Sequence, residues 1–500
     1  MENPGVLSHD GGELGGAAGS LLDGNRGTAT LLLRSRGQRL ERPGLKPVWA
    51  AAVPPKVGPV TAVQGACRLC GAPLRHSLVD LGNTPLEENF PDAREIDAME
   101  RFYPLRVMVC ERCLLVQLRK QVSSDGAHYD HDSSPPTNSV ESVACARANC
   151  EALVRRLKLG EGSRVVEIGC ARGSQLQQLS ACGVPHVLGI ESSIHAAAEV
   201  MRKDIPVWVG SFGEELARRM VAEHGLADLV LGNGTLARAG DLNDFLQGLR
   251  LLLAPGGVAA FELGHLLHLM EGNHFEAISH GNLCYFSGLA VRTAAARHGL
   301  VFCDVEELPG RGGTLRVYLA HGGRQEPSPA VQTLLGREEA AGLRRMETYA
   351  AFGPRVRAAK RTLLRFLVGA KDAGMRLVAY ESAGQGCTLL NYCGIGPDFL
   401  DFAVDRNPRR HGRFTPGTHV PVLPVESIDA ARPDYVLVLS RDLPPELLTH
   451  LRHMRDWGGK LVVPTPVTSV IDPGDPAFLP VAEASPVTLP DPWRSDASAA

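Results

Sequence analysis

The alternation of apolar runs and glycine turns is clearest between residues 164 and 193. An apolar strand pattern leads into a turn that holds Gly169 and Gly173, then into a helix-compatible run and a second apolar strand ending in Glu191. This order predicts the nucleotide-binding half of a doubly wound α/β sheet. The glycines let the backbone approach a ligand closely, and an acidic side chain about 20 residues further on can accept hydrogen bonds from ribose hydroxyls.

Further apolar segments extend this sheet. The Ala-rich amphipathic run over residues 142–159 predicts a helix that leads into the first strand. Residues 206–209 and 227–233 predict a third and a fourth strand. The Ala-Pro-Gly-Gly sequence that ends at Gly257 predicts a helix stop and a turn before a fifth strand from Val258 to Glu262, because proline and glycine break the helix and reverse the chain.

A second set of apolar strand patterns follows nearer the carboxy terminus, at residues 377–380, 402–404, 435–439 and 460–463. These predict a second, smaller Rossmann-like sheet. The two ends of the chain lack such patterns: residues 1–62 are rich in Gly, Pro, Arg and Ala, and residues 472–500 are rich in Pro, Ala and Ser. We expect a disordered extension and a tail there.

Composition restricts the class of protein. The 500-residue chain is 44% apolar and 21% charged, which allows about three globular domains with their own cores. It has neither an apolar run of roughly 18 residues nor a signal-like amino terminus, so we expect no membrane association and no secretion. The net charge of −3 argues against nucleic acid as a partner. Twelve cysteines are too few for a disulfide scaffold, and a reducing cytoplasm fits them best.

Four of the cysteines stand in two C-x-x-C pairs, Cys67 with Cys70 and Cys110 with Cys113. Two such turns can bring four thiolates together around one tetrahedral Zn²⁺. The competing interpretation is a redox role for one of the pairs, but the presence of two pairs favours metal. A zinc ion with four protein ligands has no open position, so we expect its role to be structural.

The sequence around the cysteines is more specific than the cysteines. Residues 78–86, Asn89-Phe90, residues 103–105 and residues 113–118 resemble the zinc-binding amino-terminal domain of the sugar C-methyltransferases, which act on nucleotide-linked deoxy-keto sugars. The E-x-G-x-x-x-G pattern followed by a distal Glu resembles the first two motifs of Class I S-adenosylmethionine-dependent methyltransferases. The resemblance covers residues 64–470.

This resemblance implies an α/β fold in which a Class I methyltransferase sheet is flanked by a small zinc-binding domain and a second Rossmann-like domain. The implied boundaries are 63–140 for the zinc-binding domain, 141–325 for the methyltransferase domain and 326–471 for the carboxy-terminal domain. The implied cofactors are S-adenosylmethionine and zinc, and the acceptor is a nucleotide-linked sugar or another small molecule. We expect a monomer or a small homo-oligomer. The residues implied to hold the cofactor are Glu167, Gly169, Gly173, Glu191, Gly232 and Asn233.

The segment that the family uses for proton abstraction is altered here. The resemblance places a Tyr-His-Glu-His-type sequence before an aromatic-Phe-Ser, and Tyr285-Phe286-Ser287 fixes the frame. Ser279 then replaces the tyrosine, Gly281 the glutamate and Asn282 the histidine that the resemblance assigns as the base. His280 alone keeps its identity. Since an asparagine side chain takes up no proton near neutral pH, the base must be another residue if the activity is retained.

Other departures surround the expected sites. In the cofactor loop, Arg172 stands where an acidic residue is usual, and we expect a cation there to weaken binding of a sulfonium unless its side chain turns outward. Gln385 replaces a lysine of the carboxy-terminal glycine loop, and His131 replaces a tyrosine behind the zinc-binding domain. Residues 409–413 read either as a phosphate cradle or as a solvated loop.

Three hypotheses remain open from the sequence. In the first, the protein is a C-methyltransferase in which His280, or one of His265, His268 and His274, is the base, while Tyr285 or Asn282 orients the keto sugar. In the second, it is a catalytically silent homologue that binds cofactor or sugar nucleotide as a scaffold. In the third, it methylates another acceptor atom such as oxygen, for which no carbon-acid base is needed.

Overall fold

The structure is a computed structural model, and it describes residues 65–122, 140–308, 313–323, 325–381, 384–439 and 445–473. The predicted extension 1–62, His131 and the tail from residue 474 onward lie outside the described residues. The described residues belong to one compact unit, Ala52–Ala500. None of its described helices is both long and apolar enough to cross a membrane.

The strands and helices are numbered along the chain. The strands are β1 (His76–Thr84), β2 (Tyr103–Val109), β3 (Val116–Leu118), β4 (Arg164–Ile168), β5 (His186–Glu191), β6 (Val207–Val209), β7 (Ala227–Asn233), β8 (Leu253–Gly264), β9 (Cys284–Tyr285), β10 (Leu300–Leu308), β11 (Thr314–His321), β12 (Leu377–Tyr380), β13 (Ala403–Val404), β14 (Val422–Leu423), β15 (Tyr435–Val438), β16 (Lys460–Val463) and β17 (Ser469–Ile471). The helices are α1 (Val140–Leu157), α2 (Ser174–Ala181), α3 (Ile194–Met201), α4 (Glu214–His224), α5 (Thr235–Arg238), α6 (Leu242–Leu252), α7 (Leu266–Glu271), α8 (Gly288–Arg297), α9 (Pro329–Ala340), α10 (Met346–Ala350), α11 (Phe352–Asp372), α12 (Gln385–Cys393), α13 (Ser427–Ala431) and α14 (Pro445–Leu451).

The central sheet has the strand order β10-β11-β8-β7-β4-β5-β6. Strands β4 to β8 run parallel, whereas β11 is inserted antiparallel between β8 and β10. Because parallel strands end at the same edge, the residues that follow β4, β5 and β7 meet there. The predicted strand over residues 227–233 is confirmed as β7.

Strand β8 begins at Leu253 rather than at Val258, the predicted start. Leu253 pairs with Ala227 and Val258 pairs with Leu229, so residues 254–257 loop out of the ladder between two paired positions. Helix α6 ends at Leu252, in line with the predicted helix stop, and the Pro-Gly-Gly sequence then makes a bulge within β8 rather than a turn before it. A Cβ at Gly257 would lie 2.6 Å from the backbone oxygen of Ala227, which explains the glycine at this close approach.

The carboxy-terminal sheet has the strand order β14-β13-β12-β15-β16-β17, parallel except for β17. Its core is built from fully buried side chains such as Val378, Val404 and Val436 on adjacent strands. The predicted second Rossmann-like sheet is thus present in the structure. Strand β12 ends beside Glu381, which has a φ of 62° and so lies in the left-handed region that favours glycine.

The amino-terminal sheet has the strand order β1-β2-β3-β9, all antiparallel. Strand β9 comes from a part of the chain more than 150 residues beyond β3, and it pairs Tyr285 with Val116 and Cys284 with Gln117. The backbone N–H of Leu118 also donates to the oxygen of Leu283 at 2.9 Å. The stretch that follows residues 279–282 is therefore an edge strand of the cysteine-containing sheet.

Candidate active site and zinc centre

The four paired cysteines converge at the amino-terminal sheet. Their sulfurs all lie within 4.8 Å of one another, with 3.5 Å between Cys67 and Cys113 and 3.5 Å between Cys70 and Cys110. Each pair sits on a tight turn: the N–H of Gly71 donates to the oxygen of Cys67 at 2.9 Å, and an equivalent bond closes the second turn. Both turns present their sulfurs to the same point.

The residues present fit a zinc ion. Tetrahedral coordination with Zn–S bonds of about 2.3 Å places sulfurs roughly 3.8 Å apart, close to the observed spacing. Gln117 donates from Nε2 to the sulfur of Cys67 at 3.2 Å and accepts from the N–H of Arg68 at 2.8 Å, so a second layer of hydrogen bonds orients the ligands. Four sulfur ligands leave no open position, so the ion supplies structure rather than chemistry.

The predicted cofactor loop follows β4 in a narrow cleft. Gly169 and Gly173 have φ of 68° and 69°, and Ala171 between them has φ of 47°. A Cβ at Gly169 would lie 2.6 Å from Cγ2 of Thr235, and a Cβ at Gly232 would lie 2.2 Å from Oγ1 of the same threonine. Gly169 and Gly232 are therefore required by the close approach of their loops to Thr235, the first residue of α5.

Glu191 ends β5 and is buried. Its Oε2 accepts the N–H of Ala171 at 2.8 Å, and its Oε1 accepts the N–H of Ser193 at 2.9 Å. The carboxylate thus ties the cofactor loop to the start of α3. Oε1 also accepts the hydroxyl of Ser192 at 3.4 Å, so it is the second lone pair of Oε2 that is compatible with a hydrogen bond from a ribose hydroxyl.

Glu167 lies on β4 and is 5% exposed. Burial, reinforced by the nearby carboxylates of Glu191 and Glu262, raises its pKa to about 8. Its Oε2 is buried with no hydrogen-bond partner, as is Oγ1 of Thr235. Unpartnered buried acceptors beside glycine loops fit a cationic, donor-rich ligand such as S-adenosylmethionine.

A small cavity of about 10 Å³ remains at the ends of β7 and β8, with the predicted residues Gly232 and Asn233 in its wall. Arg316 also lines it and donates to Oε1 of Glu262 at 2.7 Å. The backbone oxygen of Asn233 already accepts from Nη2 of Arg238 at 2.8 Å.

The arginine of the cofactor loop is paired. Nε of Arg172 lies 3.3 Å from Oε2 of Glu199 on α3. The opposed charge of Glu199 offsets the cation that the sequence places near a sulfonium site, so the expected weakening of cofactor binding is reduced.

His280 is 3% exposed and lies against the amino-terminal sheet. Its Nε2 is 2.9 Å from Oγ1 of Thr84, whereas its Nδ1 is buried with no hydrogen-bond partner. The ring of Tyr103 stands edge-on to the imidazole, with 6.0 Å between ring centres. Burial lowers the pKa of His280 to about 4, so the imidazole is neutral at pH 7.

The other two predicted catalytic residues flank a turn. The hydroxyl of Tyr285 donates to the oxygen of Ser279 at 3.3 Å and accepts the N–H of Ser279 at 3.0 Å. Burial raises the pKa of Tyr285 far above its usual range. Asn282 is half-buried, and its N–H donates to the oxygen of Ser279 at 3.4 Å. The hydroxyl of Tyr285 therefore holds the turn through its two hydrogen bonds to the backbone of Ser279.

Comparison with known proteins decides the family. Three domain models match in succession: a zinc binding domain over residues 67–127, a methyltransferase domain over residues 144–304 and a C-methyltransferase C-terminal domain over residues 309–466. The C-methyltransferase NovU of Streptomyces niveus is 30% identical over 411 residues, which make up 81% of this chain and 96% of NovU. This chain belongs to the C-methyltransferase family.

Solved methyltransferase structures also match this C-methyltransferase. The magnesium protoporphyrin IX methyltransferase ChlM of Synechocystis PCC 6803 is 16% identical with a TM-score of 0.30, over 40% of this chain and 95% of that chain. The CcbJ methyltransferase of Streptomyces caelestis is 16% identical with a TM-score of 0.28, over 41% of this chain and 97% of that chain.

The family membership confirms the predicted Class I methyltransferase fold and the predicted cofactors, S-adenosylmethionine and zinc. The protein is an S-adenosylmethionine-dependent methyltransferase. Family membership does not assign the roles of individual site residues, which depend on the contacts that each residue makes.

The remaining candidate histidines of the C-methyltransferase have structural partners. Nε2 of His265 is 2.8 Å from Oε1 of Glu338, and that fully buried carboxylate also accepts the N–H groups of Gly288 and Leu289 at 2.6 and 2.9 Å. Glu338 therefore caps the first turn of α8. Nδ1 of His274 is 3.1 Å from Glu276, and the rings of His274 and His268 stack at 5.3 Å.

The arginine loop does not present a free phosphate cradle. Nη1 of Arg410 donates to Oδ2 of Asp405 at 3.1 Å, and its Nη2 donates to Oε2 of Glu88 at 3.2 Å. Nη1 of Arg413 donates to the oxygen of Phe90 at 3.0 Å. These two arginines join the carboxy-terminal loops to the loop after β1.

Three residues around the site were missed by the sequence analysis: Thr84, Glu87 and Thr235. Thr84 and Glu87 contact the segment over residues 279–282 across nearly 200 residues of chain. Glu87 stands beside Glu88 in a polar stretch of sequence, so no local signal singles it out. Thr235 could be suspected from its place just after β7.

Proposed function

We propose that this C-methyltransferase transfers a methyl group to a carbon beside the ketone of a nucleotide-linked deoxy-keto sugar. Transfer to carbon requires a base that removes a proton next to a carbonyl group. The observation that carries the proposal is His280: a neutral, buried imidazole whose Nδ1 has no partner, in the segment where the family resemblance expects the base.

The proposed cofactor site is the cleft between the β4 loop and α5. Glu167 and Glu191 would offer carboxylate oxygens, Gly169 and Gly173 would admit the cofactor to the backbone, and Gly232 and Asn233 would border its methionine end. S-adenosylmethionine supplies an electrophilic methyl group when bound. Helix α5 packs against both β8 and β9, so the cofactor cleft and the His280 segment share a wall.

The proposed base acts through a defined tautomer. With Nε2 protonated and donating to Thr84, the lone pair of Nδ1 accepts the proton that leaves the sugar carbon. The electrons of the broken C–H bond would pass to the enolate, and its carbon would take the methyl group as the methyl–sulfur bond breaks and its electron pair stays on the departing sulfur. Thr84 would fix this tautomer, because its hydroxyl oxygen lies 2.9 Å from Nε2 and can accept its proton in a hydrogen bond.

A cavity of about 300 Å³ supports the choice of acceptor class. Tyr103 lines it and stands edge-on to His280, so this one side chain links the cavity to the proposed base. Arg101 lies on its wall and could meet a diphosphate, and Leu86 provides an apolar surface. The wall also carries Glu100, which is paired with Nε2 of His419 at 3.1 Å. Its volume is at the lower end of the range for ligand sites, so the acceptor would displace the surrounding loops on binding.

The test uses purified protein, labelled S-adenosylmethionine and a panel of nucleotide-linked keto-deoxysugars. We expect transfer to at least one sugar, and a loss of about 100-fold or more in His280→Gln, the usual range for removal of a general base. His453→Gln, which alters an exposed histidine of the carboxy-terminal domain, is the matched control. Cofactor binding measured by calorimetry with no transfer to any sugar would refute the proposed acceptor, and methyl found on oxygen by NMR would redirect it.

A further inference from the structure

Glu87 is a buried carboxylate outside every expected site. It lies in the loop after β1 and is 6% exposed. Its Oε1 accepts the N–H of Gly281 at 3.2 Å, although the two residues are 194 positions apart. Glu87 therefore holds the backbone of the turn that carries His280.

The position of this carboxylate matches a loss in the sequence. Gly281 stands where the family resemblance implies a glutamate, and Glu87 reaches the backbone of that same residue from the zinc-binding part of the chain. The turn has lost a carboxylate from its own sequence, and the fold supplies one from another segment.

We propose that Glu87 is a positioning residue that takes over the role of the glutamate missing at position 281. It fixes the turn over residues 279–282 and brings an ionisable carboxyl group to the backbone N–H that follows His280, whose ring becomes an imidazolium when it accepts a proton. This inference depends on the proposed function, because it gives Glu87 a task in proton abstraction.

A purely structural role explains the contacts less well. A glutamine at position 87 could accept the hydrogen bond from the N–H of Gly281 without carrying charge. Burial instead raises the pKa of Glu87, so an ionisable group here is unfavourable to the fold. Retaining a group that costs stability is expected where its charge serves function.

The test separates charge from hydrogen bonding. In Glu87→Gln we expect unchanged thermal stability or a gain, unchanged affinity for S-adenosylmethionine, and a loss of at least 30-fold in both methyl transfer and exchange of the acidic sugar proton in D₂O. The double variant Glu87→Gln with Gly281→Glu should recover at least a third of the lost rate on a logarithmic scale. Glu339→Gln, which removes an exposed glutamate, is the control.

A second readout needs no acceptor. In ¹⁵N-histidine-labelled protein, the amide signal of His280, assigned by its absence from His280→Gln, should move with pH above 4.5 in the wild type and stay fixed in Glu87→Gln. Wild-type rates within threefold in Glu87→Gln, or no recovery in the double variant, would overturn the inference and leave the proposed function standing. Failure of the wild type on every sugar with the amide titration present would refute the proposed function and support the Glu87 contact.

Discussion

Glu167 allows a quantitative test of the proposed cofactor site. The carboxyl group is buried, its Oε2 has no partner, and its pKa is raised from 4.5 to about 8, first by burial. A carboxyl group whose folded-state pKa is raised stabilises the fold at low pH. That stability is fully present below about pH 4.5 and is lost as the pH rises through about 8.

The magnitude follows from the two pKa values. At about 1.4 kcal/mol for each tenfold change in the proton equilibrium, the rise from 4.5 to about 8 corresponds to about 5 kcal/mol at alkaline pH. Most of this cost, on the order of 4 kcal/mol, is already present at pH 7.5. We expect Glu167→Gln to remove it, so that the variant without cofactor unfolds at higher denaturant concentration than the wild type above pH 7.

Without cofactor, buried Glu167 prefers its protonated form. A bound cation reverses this preference, because the positive charge of S-adenosylmethionine favours the ionised carboxylate. Binding to the wild type at pH 7 should therefore release a proton, and the Kd should fall by up to about tenfold for each pH unit between 6 and 8. Calorimetry in two buffers with different ionisation enthalpies measures the proton release directly. Glu167→Gln should bind more weakly and release none, and Glu161→Gln, at an exposed residue of the same domain, should match the wild type.

Two results would refute this reasoning. If the Kd for S-adenosylmethionine is the same at pH 6 and pH 8 with no proton release, Glu167 does not face the cofactor. If Glu167→Gln is no more stable than the wild type at pH 8, the carboxyl group is not held protonated by burial.

Three further predictions test the rest of the site. Cys110→Ser should lose the bound zinc and raise hydrogen–deuterium exchange over residues 278–286, because that stretch pairs with the cysteine-containing sheet; unchanged exchange would show that the segment stands without the metal. Ala171→Gly should raise the free energy of unfolding by about 1 kcal/mol, measured by urea denaturation, since φ of 47° strains an alanine. Glu338→Ala should lower that free energy by about 3 kcal/mol because it leaves two buried N–H groups and His265 without their acceptor, and a loss below about 1 kcal/mol would contradict the assigned cap.

Local patterns were sufficient to predict the parts of the structure that are specified locally. Strand β7 was predicted to the residue, and the spacing of the four cysteines predicted their convergence, because apolar periodicity and C-x-x-C turns depend on neighbours in sequence. The bulge within β8 was not predicted, because the two paired positions on either side of it are fixed by pairing with β7. The two residues of β9 were missed for the same reason, since so short a strand exists only through its partner.

The candidate site shows even more clearly that contacts between distant segments are not predicted by local sequence patterns. Compared position by position with the family's motif, Gly281 and Asn282 are only losses. A carboxylate and a histidine act through position in space, and the contact between Glu87 and Gly281 depends on the docking of the loop after β1 against a turn that ends in β9. Sequence comparison of one motif could not register a replacement made from another segment.

With His280 as the proposed base, this arrangement gives the zinc centre a part in catalysis without any chemistry of its own. Thr84 and Glu87 hold the His280 turn, and both lie at the end of β1, in the sheet whose other edge is the β9 strand that follows that turn. Since the cysteines fix the loops of that sheet, they also fix the distance between the turn and its two partners. Loss of the metal should therefore lower the rate of proton abstraction even where the central sheet and cofactor binding survive. In Cys110→Ser, the loss in the rate of proton abstraction divided by the loss in cofactor affinity then measures how far the zinc-binding domain acts as part of the active site.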